Sequence, residues 1–480
     1  MDDIDGYRAV RRRRTLTVAV SVAVTAALCV GYVVADICDV VPGVLTMRQV
    51  DRPTVAAAKQ SIEAADVVPD LGSANVDASA AESLIGAFSS AADGFGGDYS
   101  IAIADASGKV IAERNIDTPR TPASTMKTLT AYAAASKLDM GSTLDTQTYL
   151  EQVQNGFAHL VLKGNGDMLL GAGLSDPDHV NGRAGLGTLA ADTAQALRQR
   201  GITSVTLAYD DSLFGENRWP QGIAELDTDH VYYAPSSSMA VDGGRNWNGA
   251  APSDPDQFTS YPALSMSPAA DAAAVFAQRL SEQGITVQGS VEQGTAPQSS
   301  SPLASVRSAS LSEVMAFTLR HSDNSLAEEL GRLLALKTGT GNSPEGAVQA
   351  VKSVLEREGI STQGLDMRNC SGLTEDSKLT ARTLLEVQQR NLTAGSGAAA
   401  AEGLSIAGFV GTAANRLLDA SEAGLIRAKT GSLGDVTSMT GNVSRINGGA
   451  LSFAVIVNNP TDLSAAKSAI DKFVAGLPRL

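Results

Sequence analysis

The longest apolar run of the chain comes first. Thr15 to Ala35 carries no charged side chain over 21 residues and follows Arg8 and the arginines at positions 11 to 14. As a helix rising ~1.5 Å per residue, it is long enough for the ~30 Å core of a bilayer. The arginine cluster predicts that residues 1–14 stay cytoplasmic, that 15–35 form an anchor and that the chain beyond lies outside. A cleaved signal peptide is the alternative, because Val33-Val34-Ala35 ends in small residues, but the run is longer than the usual apolar core of such peptides. Both readings export the body of the protein.

Beyond this run the pattern breaks into shorter pieces. Residues 36–80, rich in Ala, Asp, Ser and Val and holding Pro42, Pro53 and Pro69, predict a stalk. Ala81 to Ser90 predicts a helix, and two short apolar runs, Tyr99 to Asp105 and Val110 to Arg114, flank Ser107-Gly-Lys as a hairpin. Thr121 to Lys137 predicts a helix, with Pro122 near its first position and no glycine before Gly141. The texture then changes. Strands at His159 to Lys163, Ile202 to Tyr209 and Ile285 to Val291 alternate with helices at Leu186 to Gln199 and Ala269 to Gln283. This predicts a separate body over 146–305, closed by a Ser- and Pro-rich linker from Ala296 to Ser308. Its aromatics Phe214, Trp219, Tyr232, Tyr233 and Trp247 read better as core than as a cleft rim. Ser310 and Glu313 form a capping box for a helix through Leu319, a second helix covers Leu326 to Leu336, and apolar strands begin near Leu425, Ser438 and Leu451.

Composition narrows the class. In 480 residues, 43% hydrophobic and 19% charged content describes a globular protein, and a net charge of −15 argues against a nucleic-acid surface. Cys29, Cys38 and Cys370 give no disulfide framework. His159, His179, His230 and His321 show no paired metal-ligand spacing, so neither a metal nor another cofactor is expected.

Three short motifs carry candidate chemistry. Ser124 and Lys127 lie three apart at a predicted helix start, where they share a face and Ser124 meets free backbone N–H groups. A lysine can take a serine's proton only if burial or a neighbouring cation depresses its pKa. The spacing alone is weak, since Ser464 and Lys467 match it too. Ser322-Asp-Asn324 falls between two predicted helices and can offer a hydroxyl and a carboxamide to a cleft, with adjacent His321 read as structural. Lys-Thr-Gly occurs twice. Lys337 to Gly339 ends a helix and reads as a glycine cap, whereas Lys429-Thr430-Gly431-Ser432 lies on a strand edge. There Lys429 supplies charge, Thr430 a hydroxyl for a substrate carboxylate, and Gly431 room for an extended peptide.

The three motifs stand in the order of the active-site serine penicillin-interacting enzymes. The chain resembles the penicillin-binding protein 4 type D-alanyl-D-alanine carboxypeptidases of the S13 serine peptidase family. The likeness covers about residues 81–480 and includes the long gap from Lys127 to Ser322, Gly164-Asn-Gly-Asp167, Asp210-Asp-Ser-Leu-Phe214, Asn369-Cys-Ser-Gly-Leu373 with Leu379-Thr380, and Gly408-Phe-Val-Gly-Thr412. The family usually has Asp-Gly where this chain has Asn369-Cys370, so that segment receives no catalytic role. The resemblance implies a mixed α/β (α+β) fold: a transpeptidase/β-lactamase-like domain from 81–145 and 306–480, with a five-stranded antiparallel sheet between helices, interrupted by the insertion. It also implies Ser124 as nucleophile, Lys127 as base, Ser322 and Lys429 as a proton relay, Asn324 on the substrate amide, and the Ser124 and Ser432 N–H groups as oxyanion hole. The implied substrates are peptidoglycan stem peptides ending in D-Ala-D-Ala, with β-lactams as covalent inhibitors and DD-endopeptidase as a related activity. A class A β-lactamase fits less well, lacking a Glu-x-x-Leu-Asn segment and having the insertion. A silent scaffold would have lost motif residues, and none is lost.

Overall fold

The computed structural model describes residues 2–38, 40–41, 75–152, 158–298, 300–392, 395, 397–416 and 423–480. Most of the predicted stalk, residues 42–74, lies outside the described residues. The chain divides into two units, at Val67/Val68. In the first, one helix runs from Asp2 to Ile37, so the arginine segment continues the apolar helix. Thr15–Ile37, 23 residues with mean hydropathy 2.3, is long and apolar enough to cross a membrane.

The second unit contains two main sheets. The larger is antiparallel throughout and runs Ser405–Ile406, Ile426–Leu433, Val436–Ser444, Ala450–Asn458, Asp98–Asp105, Val110–Arg114. It has six strands where five are expected, because the two-residue strand Ser405–Ile406 joins one end of Ile426–Leu433. Helices cover both faces. Ile101, Phe453 and Val455 pack against Ile85 and Phe88 of helix Ala78–Phe95 and Phe473 of helix Leu463–Gly476. On the other face Ala102, Ala104 and Ala454 are small, and helices Lys127–Ala135 and Ala381–Asn391 lie over them. Ala450–Asn458 is buried at every position and is therefore a continuous apolar run without alternation.

The second sheet belongs to the segment between the first two motifs. Its order is Thr286–Gln293, Ser204–Asp210, Ala158–Lys163, Thr143–Gln152, Ala304–Ser310, parallel over the first three strands and antiparallel after them. Helices Leu186–Gln199 and Pro268–Glu282 fill its core with Leu189, Ala190, Phe276 and Leu280. The expected linker is partly wrong: Ala304–Ser310 is a strand. Val306 and Ser308 point inward and Ser305 and Arg307 outward, a period of two that the serine-rich composition hides. Thr143 pairs with Ser310, so the sheet extends past 146 and 305 at both crossings. The aromatics divide: Phe214 and Tyr233 are buried, while Tyr232 is 50% exposed.

Candidate active site

Helix Lys127–Ala135 is preceded by a 3-10 turn, Ala123–Met126, so Ser124 sits in the tighter turn and Lys127 opens the helix. Ala123 is held at φ +50, a left-handed conformation that costs an alanine about 1–2 kcal/mol. The brace is Gly372, itself at φ +76, where a Cβ would come 2.1 Å from the Ala123 carbonyl oxygen. The turn that carries Ser124 is therefore set by tertiary contact as well as by Pro122.

The Lys127 amine is buried and surrounded by oxygens: Ser124 Oγ at 3.1 Å, Asn324 Oδ1 at 2.6 Å and the Ser371 carbonyl at 2.7 Å. Burial lowers its pKa to about 7, against the opposing pull of Glu328 and Asp323. A neutral amine has two N–H donors and one lone pair. Asn324 Oδ1 and the Ser371 carbonyl can only accept, so they take both donors and leave the lone pair for the Ser124 hydroxyl.

The second motif is placed by two helix ends. Ser322 caps helix Leu311–His321 in a left-handed conformation, Asp323 is the N-cap of helix Asn324–Thr338, accepting from the Leu326 N–H, and Asn324 is that helix's first residue. The expected capping box is present: Ser310 Oγ accepts from the Glu313 N–H, and the Ser310 N–H donates to Glu313. Ser322 Oγ is 3.0 Å from Lys429 Nζ, and Lys429 also donates to the Thr430 carbonyl at 2.7 Å. Lys429 is fully buried and its pKa lies well below the usual lysine range, first through burial and then through the Lys127 charge. Asn324 donates through Nδ2 to the Tyr232 carbonyl at 2.9 Å, which ties the insertion to the site.

Strand Ile426–Leu433 carries the third motif. Thr430 Oγ1 donates to Thr412 Oγ1 at 2.7 Å, and Ser432 is exposed. Gly431 has a closer reason to be glycine than room for a peptide: a Cβ there would lie 2.2 Å from Ser438 Oγ, 2.9 Å from the Pro122 carbonyl oxygen and 3.2 Å from the Ser124 nitrogen. The strand thus lies directly against the turn that carries Ser124. Lys337, in contrast, is exposed in the last turn of its helix, and Gly339 caps that helix at φ +72. Ser464 is exposed on helix Leu463–Gly476. His321 stacks on Phe258 with ring centres 4.5 Å apart.

Sequence reasoning missed several contributors. Ser371 supplies the carbonyl to Lys127, and Glu328 accepts from the Ser371 N–H at 2.8 Å and the Cys370 N–H at 3.1 Å. Thr130 Oγ1 donates to the Cys370 carbonyl at 2.7 Å. Asn369 Oδ1 accepts from the Gly372 N–H at 2.7 Å, which shapes the loop. The Asn369-to-Leu373 likeness was the available signal. Nothing in Leu-Ala-Glu-Glu-Leu separates Glu328 from a solvated helix position.

Known proteins bear on this arrangement. The profile of the D-Ala-D-Ala carboxypeptidase 3 (S13) family matches residues 92–263 and 247–477. Carboxypeptidase DacB of Mycolicibacterium smegmatis is 34% identical over 381 residues, 77% of this chain and 78% of that protein. A carboxypeptidase of Mycobacterium tuberculosis is 33% identical over 360 residues, 73% of this chain and 74% of its own length. Penicillin binding protein 4 of Haemophilus influenzae superposes with a TM-score of 0.67 at 21% identity, covering 82% of this chain and 99% of that one, a likeness of fold. With the family profile spanning most of the chain and the relatives matching 77% and 73% of it, the protein belongs to the S13 family of D-Ala-D-Ala carboxypeptidases.

Proposed function

We propose that this chain is a serine-type D-Ala-D-Ala carboxypeptidase that works through an acyl-enzyme on Ser124. The observation that carries the mechanism is Lys127, a buried amine with both N–H donors occupied and its lone pair facing the Ser124 hydroxyl. Lys127 takes the hydroxyl proton as Oγ bonds to the carbonyl carbon of the penultimate D-alanine. The oxyanion is received by the Ser124 and Ser432 N–H groups, each donor of this kind being worth about 10²–10³ in rate. Ser322 and Lys429 relay the proton that Lys127 took from Ser124 to the departing D-alanine amine, which leaves Lys127 neutral again. Water then hydrolyses the ester and restores the Ser124 hydroxyl. Asn324 orients the substrate amide through its remaining N–H, while Thr430, with Thr412 behind it, receives the terminal carboxylate. β-Lactams present the same acyl group without a diffusible leaving group, so they acylate Ser124 and stay.

In this reading Thr15–Ile37 anchors the protein, residues 1–14 face the cytoplasm and the 146–305 insertion forms a distinct domain outside. The motif strand and the insertion also favour a second activity. A cleft of about 1130 Å³, lined by Trp247, Phe258, Tyr261, Arg320 and Phe409, includes Thr412, the partner of the Thr430 hydroxyl that in this reading receives the leaving group's carboxylate. A single D-alanine does not fill it, whereas the second stem peptide of a cross-link does, which is the leaving group of a DD-endopeptidase.

Mass spectrometry of residues 37–480 after incubation with a penicillin tests the class. A covalent adduct mapped to Ser124 and absent from Ser124→Ala is expected. Folded protein without an adduct would refute the proposal, and defined cross-linked and monomeric muropeptides then separate the two activities.

A further inference from the structure

The Ser124–Lys127 pair has a buried acidic neighbour to which its chemistry has so far given no role. Glu328 is 1% exposed and lies one helical turn after Asn324, on the face that Asn324 presents to Lys127. Its carboxylate receives two backbone N–H groups, of Cys370 and Ser371, and the next carbonyl of the same loop, that of Ser371, accepts from Lys127 Nζ. One carboxylate therefore fixes the loop that fixes the base.

The surroundings identify the charge it balances. Arg332, on the same helix, is directed to the carbonyls of Phe214, Asn217 and Asn342. The Tyr233 phenol and the Cys370 thiol are both pushed up by burial and stay neutral. Asp323, the other carboxylate near Lys127, is paired with Arg245 and caps its own helix. Lys429 bonds to Ser322 and Thr430. Arg332 also feels the Glu328 charge, but it is a permanent cation held by those carbonyls, so Lys127 is the neighbour whose charge changes; burial raises the Glu328 pKa while the two N–H bonds and Lys127 pull it back.

We propose that Glu328 is a positioning residue whose carboxylate serves as counter-ion to the ammonium formed when Lys127 takes the Ser124 proton. The inference rests on Lys127 being the base. In that step the Ser124 O–H bond breaks, an N–H bond forms on Nζ and Oγ bonds to the substrate carbonyl carbon, so a positive charge appears on a side chain that is only 1% exposed. A carboxylate already in place, held by backbone donors, stabilises that charge without reorganising.

The test is the pH profile of acylation by a chromogenic cephalosporin, measured on wild type, Glu328→Gln, Glu328→Asp and Lys127→Met, each checked for folding by circular dichroism. Losing the negative charge makes Lys127 a weaker base. Glu328→Gln is therefore expected to move the acidic limb down by about one pH unit and to lower the plateau by up to roughly tenfold. Glu328→Asp, with the charge withdrawn by one methylene, should fall between the two. A Glu328→Gln limb that stays at the wild-type position, whatever its plateau, would overturn the proposal and leave Glu328 a brace for the 370–371 backbone. If the Gln variant does not fold, an Asp limb coincident with wild type overturns it equally. Lys127→Met separates the premises: full acylation by that variant removes the base assignment itself, whereas a dead Lys127→Met beside an unmoved Gln limb removes only the role of Glu328.

Discussion

Acid should switch off acylation of Ser124 at a pH set by Lys127. An ordinary lysine titrates near ~10.4. Burial brings Lys127 to about 7, and only the neutral amine can take the serine proton. Below the midpoint the neutral fraction falls tenfold per pH unit, so the first-turnover rate at pH 5 is expected at about 1% of its plateau. Stopped-flow mixing with excess chromogenic cephalosporin isolates this step from deacylation. Since Lys429 is depressed by burial and by the Lys127 charge, the limb reports the pair. Stability carries the same signature. The folded pKa lies below the unfolded one, so between pH ~7 and ~10.4 the unfolded chain binds more protons and stability rises with pH, by about 5 kcal/mol over the whole window for an isolated group. Lys127→Met strands the Asn324 and Ser371 oxygens, an offset that does not depend on pH. The stability of wild type relative to this variant should therefore grow from pH 7 towards pH 10 in denaturant titrations. A rate flat from pH 5 to 8, or a stability difference that does not change with pH, would refute the argument.

Other consequences are as direct. Gly431→Ala should cost about 1–3 kcal/mol of stability and about a hundredfold in acylation rate, because its Cβ displaces Ser438 and Pro122 beneath Ser124; thermal melts and acylation kinetics check both. Lys429→Ala should abolish acylation while Lys337→Ala leaves it unchanged, and equal losses would show that the wrong triplet had been assigned. Asp167 is buried with one oxygen unpartnered, and burial raises its pKa to about 7. Its folded pKa exceeds the unfolded value, so stability falls as pH rises from about 4 to 7; Asp167→Asn, which keeps the oxygen that accepts from the Leu169 N–H, should gain up to about 4 kcal/mol at pH 8 and nothing at pH 4 in urea titrations.

The legible parts of this protein share a physical reason. Helix Leu186–Gln199 shows an apolar stripe, Ser310 and Glu313 a cap, and Gly339 a helix end, and each signal lies within a few residues of what it specifies. The second Lys-Thr-Gly could be chosen over the first because a helix precedes one and strands surround the other. Where a pattern is diluted it misleads: the part of strand Ala304–Ser310 up to Ser308 reads as linker because serine occupies both buried and exposed positions. The two-residue strand Ser405–Ile406 has too short a run to show any period.

The antiparallel sheet was implied by the family resemblance; by itself, the sequence determined the apolar N-terminal helix, individual helices and strands, the long gap between the first two motifs, and the serines, lysines and asparagine of the three motifs. These follow from local periodicity and from motifs whose members need only be present in order. Tertiary structure alone decided how they act. The left-handed turn at Ala123 is held by Gly372, some 250 residues away. Ser371 and Glu328 become part of the Lys127 environment only when the helix after Asn324 packs on the Asn369–Leu373 loop. A pKa near neutrality for Lys127 is a property of burial, and burial is a property of the whole fold, set by contacts no local window of sequence contains.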